Sequence, residues 1–242
     1  MGQKQLLKPA IILVRPQLPE NIGMVARVMQ NFNLKDLILV KPREKWPNKK
    51  TINASKSASN IINKAKVYDS ISEAISTFNL IVATTNRKRF LEKKCINQFN
   101  TLSKLIQLNK KSAILFGPEN SGLSNEDLRL ADYLFTIDTS NNNHSLNLSH
   151  AVAITSYKLN EFLVKNKKNT IDQKKFLKDQ SSKKEIKNFL NFLILNLDKN
   201  NFFYPAAKRE SMIDNIYSIF LKSSLTKKEV KTLWGIIKNI GN

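Results

Sequence analysis

Five short segments, each almost continuous in apolar residues, recur along the first 140 residues of this 242-residue chain. They span residues 10–14, 37–40, 80–84, 113–116 and 133–137. Uninterrupted apolar strands are typical of parallel strands that are covered on both faces. Because helical patterns separate these segments, the chain predicts an α/β fold with a right-handed, mostly parallel sheet.

The helical segments are marked by apolar residues at spacings of three and four. After the first strand, a helix is predicted to start within residues 20–23, with Asn21 as its N-cap. Another is predicted over residues 71–78. Two more helices are predicted over 102–108 and from 145 to about 164, and the polar stretch 43–60 predicts a surface excursion with a short helix near its end.

A lysine-rich stretch with few apolar residues, 165–184, is predicted to be a charged linker. It separates a first domain, residues 1–164, from a helical C-terminal extension, residues 185–242. Three helices are predicted there, over 184–197, 208–220 and 226–240. The extension carries aromatic residues that are candidates either for base stacking or for a small core, and the core role is favoured because the unit has little else to bury. These residues are Phe189, Phe192, Phe202, Phe203, Tyr217, Phe220 and Trp234.

The formal net charge of +21 indicates a polyanionic partner such as nucleic acid. A general bias of composition toward lysine is the alternative, since only 7 of the 40 basic residues are arginines. Three of these arginines, Arg27, Arg87 and Arg89, fall inside candidate motifs. Arginine's planar fork suits phosphate, which favours the nucleic-acid interpretation.

Several classes of protein are excluded by simple features of the chain. The single cysteine, Cys95, allows no internal disulfide framework and no cysteine-rich zinc site. No apolar run approaches the roughly 18 residues of a membrane span, and the N-terminus lacks the apolar region of a secretory signal. We therefore expect a cytoplasmic protein with a reduced thiol.

Four groups of residues carry candidate chemistry, and each follows a predicted strand or opens a predicted helix. Loops at the carboxyl ends of parallel strands are where α/β proteins bind ligands. Taken singly, each group also has a structural explanation: a closely packed helix, a solvated basic loop, a tight turn or a helix start. No dinucleotide or Walker phosphate loop occurs. The groups are Asn21-x-Gly23-x-x-Ala26-Arg27, Thr84-Thr85-Asn86-Arg87-Lys88-Arg89, Gly117-Pro118-Glu119-x-x-Gly122-Leu123 and Ser145-Leu146-Asn147-Leu148.

Together and in this order, these groups resemble the motifs of the SPOUT class of RNA methyltransferases, in the TrmH-like branch that methylates ribose 2′-hydroxyls. The likeness rests on the first, third and fourth groups, with Ala151 and Val152 following the last, and spans most of the first 160 residues. Within that branch the chain is most similar to the tRNA (cytidine/uridine-32) 2′-O-methyltransferases. The linker, the helical tail and the Thr226-x-x-Glu229 capping box fit that group.

The resemblance implies a SPOUT fold: a parallel α/β sheet whose C-terminal part forms a deep trefoil knot. It also implies a homodimer, a tRNA substrate, and S-adenosylmethionine held in a bent shape by the knot loops, without metal. The implied cofactor residues are Thr84, Thr85, Asn86, Gly117, Ile137, His144, Ser145 and Leu146. The implied RNA-binding residues are Arg27, Arg87, Lys88 and Arg89.

The resemblance also implies catalytic residues, namely Arg27, Ser145, Asn21, Glu119 and Asn147. The 2′-oxygen would attack the methyl group in line. Because a guanidinium group stays protonated, we expect Arg27 to clamp phosphate and stabilise developing alkoxide charge rather than act as a base. Ser145 and Asn147 would hold the ribose and the pocket, and Glu119 would orient Arg27 or a loop. His144 stands where the family usually has a small residue, and it is a candidate for a catalytic or a merely neighbouring role.

Other functions remain open at this point. The chain could methylate another tRNA site or ribosomal RNA, or it could be an RNA-binding protein that kept the fold and lost the activity. The presence of Asn21, Arg27, Glu119, Ser145 and Asn147 argues against such a loss. A nucleotide-binding protein is disfavoured because the chain has no phosphate loop.

Overall fold

A seven-stranded sheet, parallel throughout, forms the centre of the described chain. The computed structural model describes residues 7–86, 93–140, 146–165, 180–221 and 225–240. Within these residues the strand order is β3-β2-β1-β6-β4-β7-β5. The strands are β1 (Ala10–Val14), β2 (Leu37–Val40), β3 (Lys66–Tyr68), β4 (Leu80–Thr84), β5 (Cys95–Ile96), β6 (Ser112–Phe116) and β7 (Tyr133–Phe135).

Helices cover both faces of this sheet, and further helices follow at the C-terminal end. In chain order the helices are α1 (Pro19–Asn31), α2 (Lys49–Ser55), α3 (Ser59–Lys64), α4 (Ile71–Ala74), α5 (Phe99–Gln107), α6 (Asn125–Arg129), α7 (Leu148–Lys165), α8 (Lys183–Lys199), α9 (Arg209–Leu221) and α10 (Lys227–Ile240). Alternate residues of each strand point to opposite layers: Ile11 and Leu13 pack with α1, α5 and α7, while Ile12 and Val14 pack with α4 and α6. Both sets are buried, which is why the strands read as continuous apolar runs.

The five predicted strands are confirmed, and two more were missed. β3 and β5 have three and two residues, too few for a recognisable pattern. The predicted helix over 71–78 is wrong beyond Ala74, because the chain turns there and Phe78 donates its N–H to the carbonyl of Ile75 at 2.9 Å. The turn returns Phe78 to the core beside Ile71, Ala74 and Ile75, which is why the apolar spacing resembles that of a longer helix.

The polar stretch 43–60 is more structured than the sequence predicts. It forms α2, a single 3₁₀ turn (Lys56–Ala58) and the start of α3, and it buries Thr51 and Ser55 against α1. A Cβ atom on Gly23 would lie 2.5 Å from the Thr51 carbonyl oxygen. Gly23 therefore permits the close approach of α1 and α2.

The C-terminal helices α8, α9 and α10 enclose a hydrophobic cluster of their own, as predicted for their aromatic residues. Phe189 and Phe203 are buried, and Phe192 stacks on Trp234 with ring centroids 4.8 Å apart. Phe202 is the exception, with half of its surface exposed. Helices extend into both ends of the expected linker, since Lys165 ends α7 and Lys183 begins α8.

Ion pairs join this helical unit to the face of the sheet that α4 and α6 cover. Lys183 pairs with Asp132, and both side chains are buried; Asp132 also accepts the N–H of Ile81 at 2.6 Å. Arg129, the last residue of α6, pairs with Glu210 at 2.8 Å and with Asp214, both on α9. Removing one partner of a buried pair leaves an uncompensated charge, so Lys183 and Asp132 hold α8 in a defined position.

Lys93 is a buried lysine beside these ion pairs. Its Nζ donates to the carbonyl oxygens of Arg129, at the end of α6, at 2.8 Å and of Ala131, directly after that helix, at 2.5 Å. Burial lowers the pKa of Lys93 from 10.5 to about 8, although Asp132 acts in the opposite direction. The charged form of this side chain is therefore a source of instability at neutral pH.

We expect the Lys93→Met variant to reveal this as a pH dependence. Between about pH 8 and 10.5 the unfolded chain binds a proton at Lys93 that the folded chain has lost, so the free energy of unfolding rises with pH. The wild type should gain up to about 3 kcal/mol relative to Lys93→Met over that range. Denaturant unfolding at a series of pH values measures the difference. Lys94→Met, at the exposed neighbouring position, is the control and should follow the wild type; equal slopes for both variants would refute the assignment.

Candidate functional site

A pocket of about 210 Å³ lies at the carboxyl ends of three adjacent strands, β6, β4 and β7. Its floor is apolar, and its walls are the loops that follow the three strands together with the start of α7. The lining residues are Thr84, Thr85, Asn86, Phe116, Gly117, Pro118, Glu119, Asn120, Ser121, Gly122, Leu123, Phe135, Ile137, Leu146, Leu148 and Ala151. The predicted loops therefore converge on one crevice, as expected for strand ends in a parallel sheet.

The loop after β6 is held in a tight turn that requires its glycines. Gly122 donates its N–H to the Pro118 carbonyl at 2.9 Å and has φ of +67°, in the left-handed region. A Cβ atom on Gly117 would lie 2.4 Å from the Leu123 nitrogen. The backbone of this wall is thus closely folded on itself.

Glu119 joins this loop to the start of α1. Its Oε2 accepts the N–H of Gln17 at 2.9 Å, and its Oε1 accepts the N–H of Leu18 at 3.4 Å and a side-chain N–H of Asn21 at 2.7 Å. Of the two predicted partners, Arg27 or a loop, the structure shows the loop. No hydrogen bond links Glu119 to Arg27 within the described residues.

Asn147 extends the network to the start of α7. Its Nδ2 donates to the Oδ1 of Asn21 at 3.3 Å, and its Oδ1 accepts from the N–H and hydroxyl of Ser149 at 2.8 and 2.7 Å. Asn21, Glu119 and Asn147, which are far apart in the sequence, are therefore brought together beside the pocket.

The prediction that Asn21 caps α1 is wrong. The helix begins at Pro19, its N-cap is Leu18, and Asn21 is a buried residue within the first turn. Proline's fixed φ suits the first helical position, and the Glu119 carboxylate accepts the N–H groups of Gln17 and Leu18 just before the helix. Asn21 is thereby free to bridge Glu119 and Asn147.

Arg27 lies on the exposed surface of α1 and is not among the residues that line the pocket. Its side chain makes no hydrogen bond or ion pair with any other part of the chain that the structure describes. α1 packs against α7, and the exposed side chains of these two helices include Met24, Ile154 and Tyr157; the Tyr157 ring packs edge-on against Phe32 at 6.2 Å.

Six of the predicted cofactor residues line the pocket: Thr84, Thr85, Asn86, Gly117, Ile137 and Leu146. The Thr84 hydroxyl donates to the Leu115 carbonyl at 2.9 Å, and the Thr85 N–H donates to the Phe135 carbonyl at 3.0 Å. The remaining predicted site residues, Arg87, Lys88, Arg89, His144 and Ser145, lie outside the described residues.

One ion pair near the pocket was missed by the sequence analysis. Arg15, directly after β1 and with φ of 49°, binds both carboxylate oxygens of Asp127 on α6. Asp127 also forms a capping box with Ser124. The Ser124-x-x-Asp127 spacing is a signal for the helix start, but no local pattern indicates that Arg15, 112 residues away, binds Asp127.

The described residues contain neither a membrane-spanning helix nor a cluster of metal ligands. None of the described helices is long and apolar enough to cross a membrane. Histidine, cysteine, aspartate and glutamate side chains form no group of three that could hold a metal ion in that part of the chain.

We expect Gly117→Ala to abolish ligand binding in the pocket. The added methyl group would meet backbone atoms of Gly122 and Leu123 at 2.4–2.5 Å, so the wall must move. Calorimetry with S-adenosylmethionine measures the loss. Gly235→Ala on α10 meets open space and should bind as the wild type does; normal binding by Gly117→Ala would show that the turn is not needed.

The chain is similar to known proteins over most of its length. The profile of the SpoU rRNA Methylase family matches residues 8–157. A curated relative from Methanocaldococcus jannaschii, tRNA (cytidine-2′-O-)-methyltransferase TrmJ, is 30% identical over 95% of this chain and 98% of its own. The similarity therefore extends over both the sheet domain and the C-terminal helices.

Solved structures give a consistent result. The crystal structure of TrmJ from Z. mobilis ZM4 superposes with a TM-score of 0.85 at 33% identity and covers 97% of this chain and all of that one (100%). The SpoU methyltransferase AviRb from Streptomyces viridochromogenes, solved in complex with its cofactor AdoMet, shares the fold alone at 18% identity and a TM-score of 0.53, over 66% of this chain and 60% of its own.

Proposed function

Because the chain belongs to the SpoU rRNA Methylase family, we propose that it transfers a methyl group from S-adenosylmethionine to a ribose 2′-hydroxyl of tRNA. The proposed target is the pyrimidine at position 32 of the anticodon loop. Near full-length similarity to TrmJ proteins, including the C-terminal helices, supports tRNA over ribosomal RNA as the substrate. A tRNA substrate also fits the cytoplasmic location expected from the sequence.

The chemistry of the pocket carries the proposal. Its described lining includes no lysine, arginine or histidine, and its only charged side chain is Glu119. This lining offers no basic side chain to neutralise the charge of a phosphate group. A cationic adenosine derivative would instead contact an apolar floor and a carboxylate. S-adenosylmethionine, with its sulfonium, supplies an activated methyl group of this kind. Thr84, Thr85, Asn86, Gly117 and Leu146 are the residues that would hold it.

The residues beside the pocket position the nucleophile. Buried Asn21, itself held by Glu119, and Ser149 fix the exposed amide of Asn147, which is thereby preorganised to contact the ribose. Arg27 binds the phosphate of the target nucleotide and stabilises the negative charge that develops on the 2′-oxygen. Ser145, which lies outside the described residues, is proposed as a further residue that holds the ribose.

The position of Arg27 makes a homodimer part of the proposal. Arg27 does not line the pocket of its own chain, and it lies on a face where Met24, Ile154 and Tyr157 are exposed. A second copy packed on this face covers the apolar side chains and brings an Arg27 to a pocket.

We extend the proposal to a trefoil knot and to two domains. The sheet order places β4 between β6 and β7, and α7 then returns to pack against α1, which is a path that a threaded chain can follow. The proposed domains are residues 1–164 and 185–242, joined by the charged segment 165–184. Helix α8 begins at Lys183, two residues before the predicted start of the second domain. The separate hydrophobic cluster of α8–α10 supports this division.

Mapping of ribose methylation in total RNA, from cells with and without this protein, tests the substrate. We expect the 2′-O-methyl group at pyrimidine 32 of tRNA to disappear when the protein is absent and to return on complementation. Loss at another tRNA site or in ribosomal RNA would correct the target. An unchanged map, together with no binding of S-adenosylmethionine, would instead indicate an RNA-binding protein without activity.

The Arg27→Ala variant tests the proposed mechanism. We expect turnover to fall by about a hundredfold or more, because charge stabilisation at the reacting oxygen is lost. Binding of S-adenosylmethionine should stay close to that of the wild type, since Arg27 does not line the pocket. Arg27→Lys keeps the charge but not the planar fork, and should recover part of the activity. Equal losses of turnover and cofactor binding would show that Arg27 is mainly structural.

A further inference from the structure

A second, larger cavity of about 650 Å³ lies between the sheet domain and the C-terminal helices, away from the pocket described above. Tyr68 and the residues of α4 form one wall, α8 forms the other, and Tyr217 of α9 contributes to the floor. The lining residues are Tyr68, Ser70, Ser72, Glu73, Ile75, Ser76, Leu130, Lys183, Lys184, Ile186, Lys187, Asn188, Leu190, Asn191, Tyr217 and Leu221. We call it the α4–α8 groove.

The walls of the α4–α8 groove are fixed relative to one another. The N–H groups of Lys183 and Lys184 donate to the carbonyls of Phe78 at 2.9 Å and Ser76 at 3.1 Å, and an amide N–H of Asn79 donates to the Ser181 carbonyl at 3.1 Å. The buried pair of Lys183 with Asp132 adds to this attachment. The groove is therefore a formed feature of the fold.

One polar stripe of α8 faces the groove. Lys184, Lys187, Asn188 and Asn191 recur at i, i+3, i+4 and i+7, line the cavity and are exposed. Neither lysine side chain forms an ion pair or hydrogen bond within the described part of the chain. The opposite wall supplies the hydroxyl groups of Tyr68, Ser70 and Ser72, and Glu73 is the only acidic residue among those lining the cavity.

We propose that the α4–α8 groove is an accessory binding site for the RNA backbone. Lysine, asparagine, serine and tyrosine side chains are the groups that proteins use to contact phosphate and sugar. Lysines three residues apart on a helix have Cβ atoms about 5–6 Å apart, so their amines can bind neighbouring phosphates. The apolar floor with Tyr217 accepts the flat face of a ribose or base, which an acidic peptide does not need.

One end of the groove, at Tyr68, lies at the same edge of the sheet as the pocket, and its other end, at Lys184, is hydrogen-bonded to Ser76 shortly before β4. Tyr68 is the last residue of β3, and Phe116, at the pocket, is the last residue of β6. Three strand spacings separate β3 from β6, which corresponds to about 14 Å. A single RNA molecule can therefore contact both, and this inference rests on the proposed function only in taking that RNA to be the tRNA substrate.

The double variant Lys184→Ala/Lys187→Ala tests the proposal in the full-length protein. We expect its KM for tRNA to rise about tenfold, while kcat and the affinity for S-adenosylmethionine stay unchanged. The slope of log Kd for tRNA against log salt should fall by about one to two, because up to two phosphate contacts are lost. An unchanged KM and salt slope would overturn the proposal.

The matched control is Lys228→Ala/Lys231→Ala on α10, which removes two exposed lysines at the same spacing. It should leave the KM for tRNA and the salt slope as in the wild type. If both double variants changed the KM and the salt slope equally, tRNA binding would depend on the overall positive charge, and a specific site in the groove would be refuted. Competition by polyglutamate that depends on Lys184 and Lys187, with unchanged tRNA binding, would assign the groove to an acidic protein.

Filter binding of tRNA without cofactor separates this proposal from the proposed function. If the wild type binds tRNA and the groove variant binds it about tenfold more weakly, the groove is supported even where no methyl transfer occurs. If methyl transfer occurs and the two proteins bind tRNA equally, the groove proposal fails and the proposed function stands.

Discussion

The carboxylate of Glu119 is the interaction on which the pocket depends most directly. It accepts hydrogen bonds from the backbone of Gln17 and Leu18 and from the side chain of Asn21. Asn21 in turn accepts from Asn147, so the segments after β1 and β6 and before α7 are tied at one point. A carboxylate suits this position because it is an acceptor at both oxygens, and hydrogen bonds to a charged acceptor are stronger than neutral ones.

The sheet order explains why this tie falls where it does. β1 and β6 are neighbours, and they mark the point from which the chain extends the sheet first toward β3 and later toward β5. Loops that leave adjacent strands at such a switch point separate. Glu119 spans the separation between the loops after β1 and β6, while the tight turn around Gly117 and Gly122 forms one wall of the pocket, which lies over β6, β4 and β7.

Much of this fold could be predicted from apolar runs, because strands that are buried on both faces have little freedom in composition. The short edge strands β3 and β5 and the buried polar residues of α2 could not, since tertiary packing rather than local pattern sets them. The site was predicted at the level of loops. The error at Asn21 is instructive: capping propensity is a local preference, and the Glu119 carboxylate, 98 residues away, overrides it.

The excess of lysine is a second case in which the sequence alone does not determine the role of a residue. Composition alone cannot distinguish a charged residue that stabilises the fold from one that binds a partner. Two consecutive residues of this chain differ in this respect. Lys183 is buried against Asp132 and attaches α8 to the sheet, whereas Lys184 is exposed along the α4–α8 groove. The first charge orients the helix and thereby decides where the second one points. A net charge of +21 becomes informative about a partner only when the lysines that serve the fold are set apart from those that face a formed cavity.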